Sequence, residues 1–354
     1  RDKLVTGVQT CALPISAGAA VALIAIDAAV PAGLGRVVRD GYGRAVRIVE
    51  AKDASPDELA LHEVNAGIYA FDRAWLHRRL PAIAPSPVTG ELYLPDLVAL
   101  AAQEGAGVVV VAGPDDGSLA GINDRVQLAD AERVLRRRII ARHQLAGVTV
   151  FDPDTTWIDD EVVLAEDVTI EPGVFLRGRT RVGRDTVIGA GSELHDTVVG
   201  ERCAIRHSVL EDSVVGDDVW IGPFAHLRSG ATIGDRVELG NYAEVKASSL
   251  GPGTKQHHFS YIGDATVGEN VNIGAGTVTA NYDGRAKHRT TIGDGAFIGS
   301  DTIIRAPIAV GPGASTGAGS VVTRDVAAGV TVVGVPARPL MRPEGDDPDA
   351  EPVA

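Results

Sequence analysis

The chain has 354 residues, a length that favours two domains, each large enough for its own buried core. Its net charge is −14 and its basic residues form no tract, which argues against nucleic acid as a partner. The two cysteines, Cys11 and Cys203, are too few for a disulfide framework and favour a reducing cytoplasm. Aromatic residues make up only 4% and glycines number 42, a composition that suits narrow stacked coils.

The first residues differ in character from the rest. Residues 5–16, VTGVQTCALPIS, share no periodicity with the remainder of the chain and resemble a translated sequencing adapter. We therefore expect residues 1–16 to be an artefact and the natural protein to extend further upstream. The apolar stretch at 17–26 resembles the core of a signal peptide, but Asp27 ends it too early for a membrane span. A buried strand is the preferred interpretation, and we expect no membrane association.

Residues 17–123 combine strand and helix patterns. The predicted elements, in order, are the strand VALIAI, a hairpin over GRVVRDGYGRAVRIVEAKD turning at Asp40-Gly41, the strand EVNAGIYAF, a helix after Pro95 and the strand GVVVVAG. This order predicts part of an α/β domain that lacks the first strands of its sheet. A linker helix over 124–146 comes next, with apolar residues at helical spacing. Its arginines, Arg133 and 136–138, suit either an anion site or a solvated face, and we favour the latter.

From about Val148 a six-residue repeat takes over. A branched aliphatic residue followed by glycine recurs at Val182, Ile188, Val199, Val215, Ile221, Ile233, Leu239, Leu250, Ile262, Val267, Ile273, Ile292, Ile298 and Val310. This period predicts a left-handed parallel β-helix over 147–340, in which each aliphatic residue points inward. We expect the glycines to occupy tight corners that need positive φ. The acidic, proline-rich tail 341–354 is predicted to be disordered.

Two polar segments interrupt the repeat. The larger is TANYDGRAKHRT, between Ile273 and Ile292, and the other is 249–261. Loops that leave a rigid scaffold often carry function. Acetyl transfer from a thioester to an amine needs a general base near neutral pKa, a donor for the developing oxyanion, and cations if the acceptor carries phosphate. Residues 220–285 supply each type: Arg228, Lys246, His258, Tyr261, Asn272, Asn281 and Tyr282. Any one of them alone is more often an ordinary surface residue.

Several long sequence segments resemble a known protein family. IGPFAHLRSGA, GNYAEVKASSLGPGTKQHHFSYIGDA, VGENVNIGAGTVTANYDGRAKHRTTIG and FIGSDT resemble the acetyltransferase half of the GlmU family. Those bifunctional bacterial enzymes join an N-acetylglucosamine-1-phosphate uridyltransferase to a glucosamine-1-phosphate N-acetyltransferase. GLGRVVR, VEAKDAS, EVNAGIYAF, ELYLPD and GINDRVQL resemble the uridyltransferase half. The resemblance covers roughly residues 17–340 and implies an N-terminally truncated, Rossmann-like nucleotidyltransferase half ahead of the β-helix.

The resemblance implies roles for residues of the repeat. His258, rather than neighbouring His257, matches the base that takes a proton from the glucosamine amine. The matches to the acceptor site are Arg228, Lys246, Tyr261 and Asn272, and those to the acetyl-CoA site are Ala275, Asn281, Tyr282, Ser300 and Ala318. The family assembles these groups between neighbouring subunits, so a homotrimer is implied. Gly334 falls where relatives often have an arginine for the coenzyme phosphates, with Arg338 nearby.

For the other half, Gly35, Glu50 and Asn65 match positions that bind the UDP-sugar, and Asn123 matches a further contact and a Mg²⁺ ligand. Leu34 replaces a usual tyrosine. The glycine-rich loop that cradles nucleotide phosphates and the aspartate that completes the Mg²⁺ site are absent from the sequence. We therefore expect this chain not to transfer uridylyl groups from UTP.

Other repeat proteins compete with this interpretation. A β-helix carbonic anhydrase would need three histidines on zinc, for which His226, His257, His258 and His288 are numerous enough. A serine or lipid-A-type acyltransferase would share the coil, and a non-catalytic scaffold would show plain polar walls. None of these needs the upstream α/β segment or the NYDG loop.

Overall fold

A computed structural model describes residues 18–340, apart from 30, 32, 120 and 123. The chain divides into two compact units, with the boundary inside one long helix, between Leu135 and Arg136. The expectations made for residues 1–17, for Asn123 and for the tail 341–354 fall outside the described residues.

The first unit is an α/β fold around a mixed sheet. In its described part the strands are β1 Val21–Asp27, β2 Arg36–Arg39, β3 Ala45–Val49, β4 Glu63–Phe71 and β5 Val108–Ala112, ordered β3-β2-β4-β1-β5. The helices are α1 Pro56–Leu59, α2 Arg73–Arg79, α3 Asp96–Glu104 and α4 Arg125–Leu145, with a 3₁₀ turn at Leu80–Ala82. β1 runs antiparallel to β4 and parallel to β5, so it is an internal strand of the sheet. Its consecutive residues Val21 to Ile26 are all buried, as expected for a strand covered on both faces. The predicted strands, hairpin and helix after Pro95 are confirmed.

The long helix α4 is confirmed, but only its C-terminal part is packed. Ile139 and Ile140 join the core of the second unit, whereas Val126 and Leu135 are exposed. Two of its arginines contact other side chains of the second unit. Arg137 forms an ion pair with Asp154 at 3.0 Å, and the Arg136 guanidinium lies 4.4 Å from the centre of the Trp157 ring. These contacts agree with the predicted solvated face.

The second unit is a three-walled parallel β-helix. The first wall contains strands Thr149–Val150, Thr169–Ile170, Val187–Ile188, Ala204–Ile205, Trp220–Ile221, Glu238–Leu239, Lys255–Gln256, Asn272–Ile273, Phe297–Ile298, Ser315–Thr316, Thr331–Val333 and, antiparallel at the end, Arg338–Pro339. The second wall contains Trp157–Ile158, Phe175–Arg177, Glu193–His195, Val209–Glu211, His226–Arg228, Ala243–Lys246, Ser260–Gly263, Val278–Ala280, Ile303–Arg305 and Val321–Val322. The third wall contains Val163–Leu164, Arg181–Val182, Val198–Val199, Val214–Val215, Thr232–Ile233, Ser249–Leu250, Ala265–Val267, Thr290–Ile292 and Ile308–Val310.

The repeated aliphatic residues form the interior. All of those predicted from the aliphatic–glycine pattern are buried, and each stacks on its equivalent in the next coil, as Val182 does on Val199. Burying one such side chain contributes about 1.5–3 kcal/mol. Among the described residues of this unit, none of the buried hydrophobic side chains is aromatic, which agrees with the narrow interior expected from composition.

The expectation that the repeat glycines need positive φ is wrong. Of the glycines that follow these aliphatic residues, only Gly222 has positive φ. They are required instead because the coils stack closely: a Cβ atom on Gly183 would lie 2.6 Å from the carbonyl carbon and oxygen of Gly200, inside van der Waals contact. The residues of this unit that do have positive φ are other glycines, such as Gly173 and Gly191, and non-glycine residues, often aspartate, such as Asp196 and Asp212.

Candidate functional site

The predicted residues of the β-helix fall into two groups at the two ends of one second-wall strand. Ser260–Gly263 runs from a corner that carries His258, here called the His258 corner (residues 257–259), to a polar group beyond its other end. That group, here called the Lys246 cluster, consists of Tyr261, Lys246, Asp264 and Asn281.

At the His258 corner the two adjacent histidines differ. The His257 imidazole Nε2 lies 2.6 Å from Glu238 Oε2, and this hydrogen bond lowers the pKa of the Glu238 carboxyl. The His258 side chain is exposed, and no hydrogen bond joins its imidazole to any other described residue. Of the two histidines at this corner, His258 is thus the one whose imidazole is exposed and not hydrogen-bonded within the described residues.

Small side chains continue the His258 corner along the following coils. Ala275, Ser300 and Ala318 occupy successive corner positions, and the backbone N–H groups of Asp301 and Gly319 donate to the carbonyls of Ala275 and Ser300 at 2.6 and 2.8 Å. Asn272 lies on the first-wall strand that leads into the same corner. The structure thus brings His258 onto one edge with these four residues.

The Lys246 cluster is a closed hydrogen-bond network. Lys246 Nζ lies 3.0 and 2.9 Å from the two carboxylate oxygens of Asp264, and both side chains are largely buried. Asn281 donates from Nδ2 to Asp264 and, at 3.2 Å, to the Tyr261 hydroxyl. Burial alone would raise the pKa of Asp264, but the ion pair with Lys246 and the hydrogen bond from Asn281 lower it overall. The same ion pair raises the pKa of Lys246.

Two further cations lie beside this network. Arg228 stacks in register with Lys246 and donates from Nε and Nη2 to one Glu244 oxygen at 2.9 and 2.6 Å. Lys287 reaches the cluster from the loop 281–289, where the Lys246 ammonium, and less strongly Arg228, lower its pKa. Arg228 and Lys246 are each paired with one carboxylate, so three positive and two negative charges leave the group with a net positive charge, which suits it to hold a phosphate.

Sequence reasoning missed three residues here. Lys287 stood only as one member of the polar loop, and an isolated antiparallel bridge between Tyr282 and Lys287 folds that loop back. Asp264 and Gly263 were given no role. Gly263 is needed because any Cβ there would collide with the Tyr261 hydroxyl. The one available signal was Gly263 itself, a glycine where neighbouring coils carry Arg228 and Lys246.

Within one chain, the residues expected to bind acetyl-CoA lie in two separate places, the Lys246 cluster and the His258 corner. Asn281 is buried in the Lys246 cluster and Tyr282 is exposed next to it, whereas Ala275, Ser300 and Ala318 follow the His258 corner. Gly334 has a φ of 92°, and Arg338 lines a cavity of about 320 Å³ with Arg324.

In the first unit, the three described residues assigned to the UDP-sugar lie together. The Gly35 carbonyl accepts a 2.8 Å hydrogen bond from the backbone N–H of Asn65, and a Cβ on Gly35 would lie 3.2 Å from Glu50 Oε1. Burial, with the nearby carboxylates Asp53 and Asp96, raises the pKa of Glu50. Asn123 lies outside the described residues.

Two kinds of feature are absent from the described residues. No helix there is long and apolar enough to cross a membrane. Within the same ranges, no three His, Cys, Asp or Glu side chains are placed to hold a metal ion.

Comparison with known proteins assigns the class. The family model for the bacterial transferase hexapeptide (six repeats) matches residues 212–247 and 289–324, within the coil. Repeats of this family form left-handed β-helices, so the predicted fold class is confirmed. The solved UDP-N-acetylglucosamine acyltransferase of Francisella novicida is a more distant likeness, at 20% identity over 54% of this chain and 70% of its own, with a TM-score of 0.36.

Relatives that match most of this chain give a narrower family assignment. The bifunctional protein GlmU of Pelobacter propionicus is 46% identical over 89% of this chain and 68% of its own length. That of Geobacillus sp. (strain WCH70) is 47% identical over 84% of this chain, which spans only 64% of that relative. The chain belongs to the GlmU family.

Proposed function

We propose that the β-helix transfers an acetyl group from acetyl-CoA to the amine of glucosamine-1-phosphate, a step in UDP-N-acetylglucosamine biosynthesis. The observation that carries this proposal is that one copy presents both a free imidazole, on His258, and a group of three cations, at opposite ends of one short strand. The family assignment supports the choice of reaction.

His258 takes the proton that the glucosamine amine loses as it attacks the thioester carbonyl. The carbon–nitrogen bond forms, the tetrahedral intermediate collapses, and the coenzyme leaves as its thiol after protonation. Arg228, Lys246 and Lys287 bind the phosphate of the acceptor, while Tyr261 and Asn272 bind its sugar. The amine and the phosphate of glucosamine-1-phosphate are carried by adjacent carbons, too close together to span the strand of about 13 Å that separates His258 from the cations of the same copy. We therefore assign the base and the phosphate-binding cations of one acceptor site to neighbouring copies in a homotrimer, an arrangement that brings the amine to the base.

Acetyl-CoA binds along the corner formed by Ala275, Ser300 and Ala318, where small side chains leave room for the coenzyme. Asn281 and Tyr282 lie on the other side of a four-residue strand, about 13 Å long. We therefore assign their coenzyme contact to a site shared between neighbouring copies in a homotrimer.

The first unit is proposed to belong to the uridyltransferase half, with Gly35, Glu50 and Asn65 contacting the UDP-sugar. UTP and Mg²⁺ are the co-substrate and ion that the resemblance implies there, and the Mg²⁺ assignment depends on Asn123 alone. The domain limits stay predictions: 17–123 for this half, 124–146 for the linker helix and 147–340 for the acetyltransferase. A cytoplasmic location is part of the same proposal.

The test measures thiol release from acetyl-CoA with glucosamine-1-phosphate as acceptor. Wild type should turn over, and glucosamine without the phosphate should react far more slowly because the three cations then have no ligand. Absence of thiol release with wild-type protein, or equal rates with and without the acceptor phosphate, would overturn the proposal.

A further inference from the structure

The strand that leads into the His258 corner breaks the apolar interior. Along the first wall, the inward positions from Ile170 to Ile298 are otherwise isoleucine or leucine, but one of them is Gln256. Gln256 is fully buried, stacks on Leu239, and its Oε1 has no hydrogen-bond partner among the described residues. A buried amide that is only half satisfied destabilises the coil, so its presence calls for a role outside packing.

The nitrogen of this side-chain amide, in contrast to its oxygen, does have a hydrogen-bond partner. Gln256 Nε2 donates to Ser260 Oγ at 2.9 Å, and Ser260 Oγ donates to the backbone carbonyl of His258, also at 2.9 Å. All three groups belong to the same turn of the coil. The amide inside the solenoid is therefore joined, through one hydroxyl, to the peptide that carries the free imidazole.

The coils beyond this turn carry a hydroxyl at the same position with a different hydrogen bond. At the position of Ser260 they have Thr277, Thr302 and Ser320. In each of them the hydroxyl donates to the carbonyl three residues back, at 2.8, 2.7 and 2.6 Å respectively. Ser260 instead donates two residues back, to His258, while its oxygen accepts from Gln256. Donation two residues back is not special to this turn, since Ser208, at the same position in an earlier coil whose inward residue is Ile205, donates to the Arg206 carbonyl at 2.6 Å. What Gln256 adds is a donor to the hydroxyl oxygen, which holds the Ser260 hydroxyl on the His258 carbonyl.

We propose that Gln256 and Ser260 are positioning residues for His258. The Gln256 amide orients the Ser260 hydroxyl, and the hydroxyl fixes the His258 carbonyl, so that the imidazole is presented in one direction at the corner. Neither residue touches the substrate. The inference depends on the proposed role of His258 as base.

The decisive variant is Gln256→Leu, which restores the side chain found at Leu239. Because it removes an unpaired buried oxygen, it should fold with an unchanged or higher Tm. We expect kcat for acetyl transfer to fall about tenfold, the KM for glucosamine-1-phosphate to stay within twofold, and Ser260→Ala to act in the same way. Ser260→Thr, which keeps the hydroxyl, should restore the wild-type kcat. The double variant should be no slower than either single variant, since both break one relay.

Ser208→Ala is the matched control. Ser208 Oγ donates to the Arg206 carbonyl at 2.6 Å on a coil away from the His258 corner, so its loss should affect stability but not kcat. A Gln256→Leu variant with wild-type kcat would overturn the proposal, as would a kcat loss shared equally by Ser208→Ala.

Hydrogen exchange separates this proposal from the proposed function. Backbone amides of residues 257–261 should exchange faster in Gln256→Leu than in wild type, while those of 205–210 stay unchanged. If wild type releases no thiol but this exchange difference is found, the relay stands and the assigned reaction fails. If the exchange of 257–261 does not change, the relay is refuted whatever the activity.

Discussion

The two ends of the strand Ser260–Gly263 are built in opposite ways. At one end the His258 imidazole has no hydrogen bond to another described residue, and the edge below it carries small side chains. At the other end Lys246, Asp264 and Asn281 bond to one another in a largely buried network. The difference indicates a division of work: the cations are held in place before any ligand arrives, while the base is left for the ligand to engage.

Of the substitutions considered at this strand, the one at His258 should have the largest effect on acetyl transfer. His258→Ala should lower kcat by about 10²–10⁴-fold, since it removes the proposed general base, with little change in Tm because the side chain is exposed. Steady-state thiol release from acetyl-CoA measures it. His257→Ala, which removes only the ion pair with Glu238, is the matched control and should stay within a few-fold of wild type. Equal losses in the two variants would remove the distinction between the histidines.

Substitutions in the Lys246 cluster should mainly weaken the binding of glucosamine-1-phosphate. Lys246→Ala should raise the KM for glucosamine-1-phosphate about 10²-fold, because it removes a largely buried cation proposed to bind the phosphate. Lys255→Ala is the control: Lys255 is half exposed and pairs with Glu238 at 3.4 Å on the first wall, so its loss should leave this KM unchanged. A Lys246→Ala variant that lowers kcat alone would contradict the assignment.

The same network should govern stability against pH. Asp264 has a folded pKa below its ordinary value of 3.8, so its contribution is complete above that pH and is lost as the pH falls through the lower folded value. Lys246 has a folded pKa above 10.5, so its contribution is complete below that pH and is lost above it. Asp264→Asn should therefore lower the free energy of unfolding by about 3 kcal/mol between pH 5 and 9, and by less in acid.

Urea unfolding at several pH values measures this difference. Glu193→Gln, which breaks the exposed pair with Arg177, should cost less than about 1 kcal/mol at every pH. A loss of similar size in the two variants would show that the Lys246 cluster is no more than a surface ion pair.

The smallest effect should come from the exposed member of the cation group. Lys287→Ala should raise the KM for glucosamine-1-phosphate about three- to fivefold at pH 7. Because the pKa of Lys287 is lowered, its charge is lost before that of Lys246 as the pH rises, and wild type and variant should converge toward alkaline pH. A KM ratio that stays constant up to pH 10 would argue against Lys287 as a phosphate ligand.

The sequence predicted the scaffold better than the site, and for a physical reason. Apart from Ile262-Gly263, the aliphatic–glycine signal marks the first and third walls, where a Cβ on the glycine would strike the next coil. On the second wall the inward residue is mostly followed by a polar one, as in Leu194-His195 and Val245-Lys246, and the chain turns one residue later in the left-handed region, as at Asp196. The wall that carries Arg228, Lys246 and Tyr261 is thus the one with the weakest repeat signal.

The contacts of the site could not be predicted from spacing. Asp264 and Asn281 meet because they end neighbouring second-wall strands, and Lys287 joins them because the intervening loop folds back through Tyr282. Nothing in the local sequence gives these pairings. The glutamine at position 256 was overlooked for a simpler reason: one polar residue in a repeat of buried aliphatics contributes nothing to a periodic pattern.

The close stacking at the glycines limits how such a chain can change over evolution. A side chain added at Gly183 meets the backbone of the next coil rather than a rotatable neighbour, so a local adjustment cannot absorb it. Removing one residue from a wall would shift every inward side chain beyond it out of line. Single-residue differences are nevertheless present between coils, since the steps from Ile170 to Ile188, Ile205 and Ile221 are 18, 17 and 16 residues while the inward positions stay aligned. Changes in length are therefore confined to the corners and loops, and the short strands of the walls keep their length.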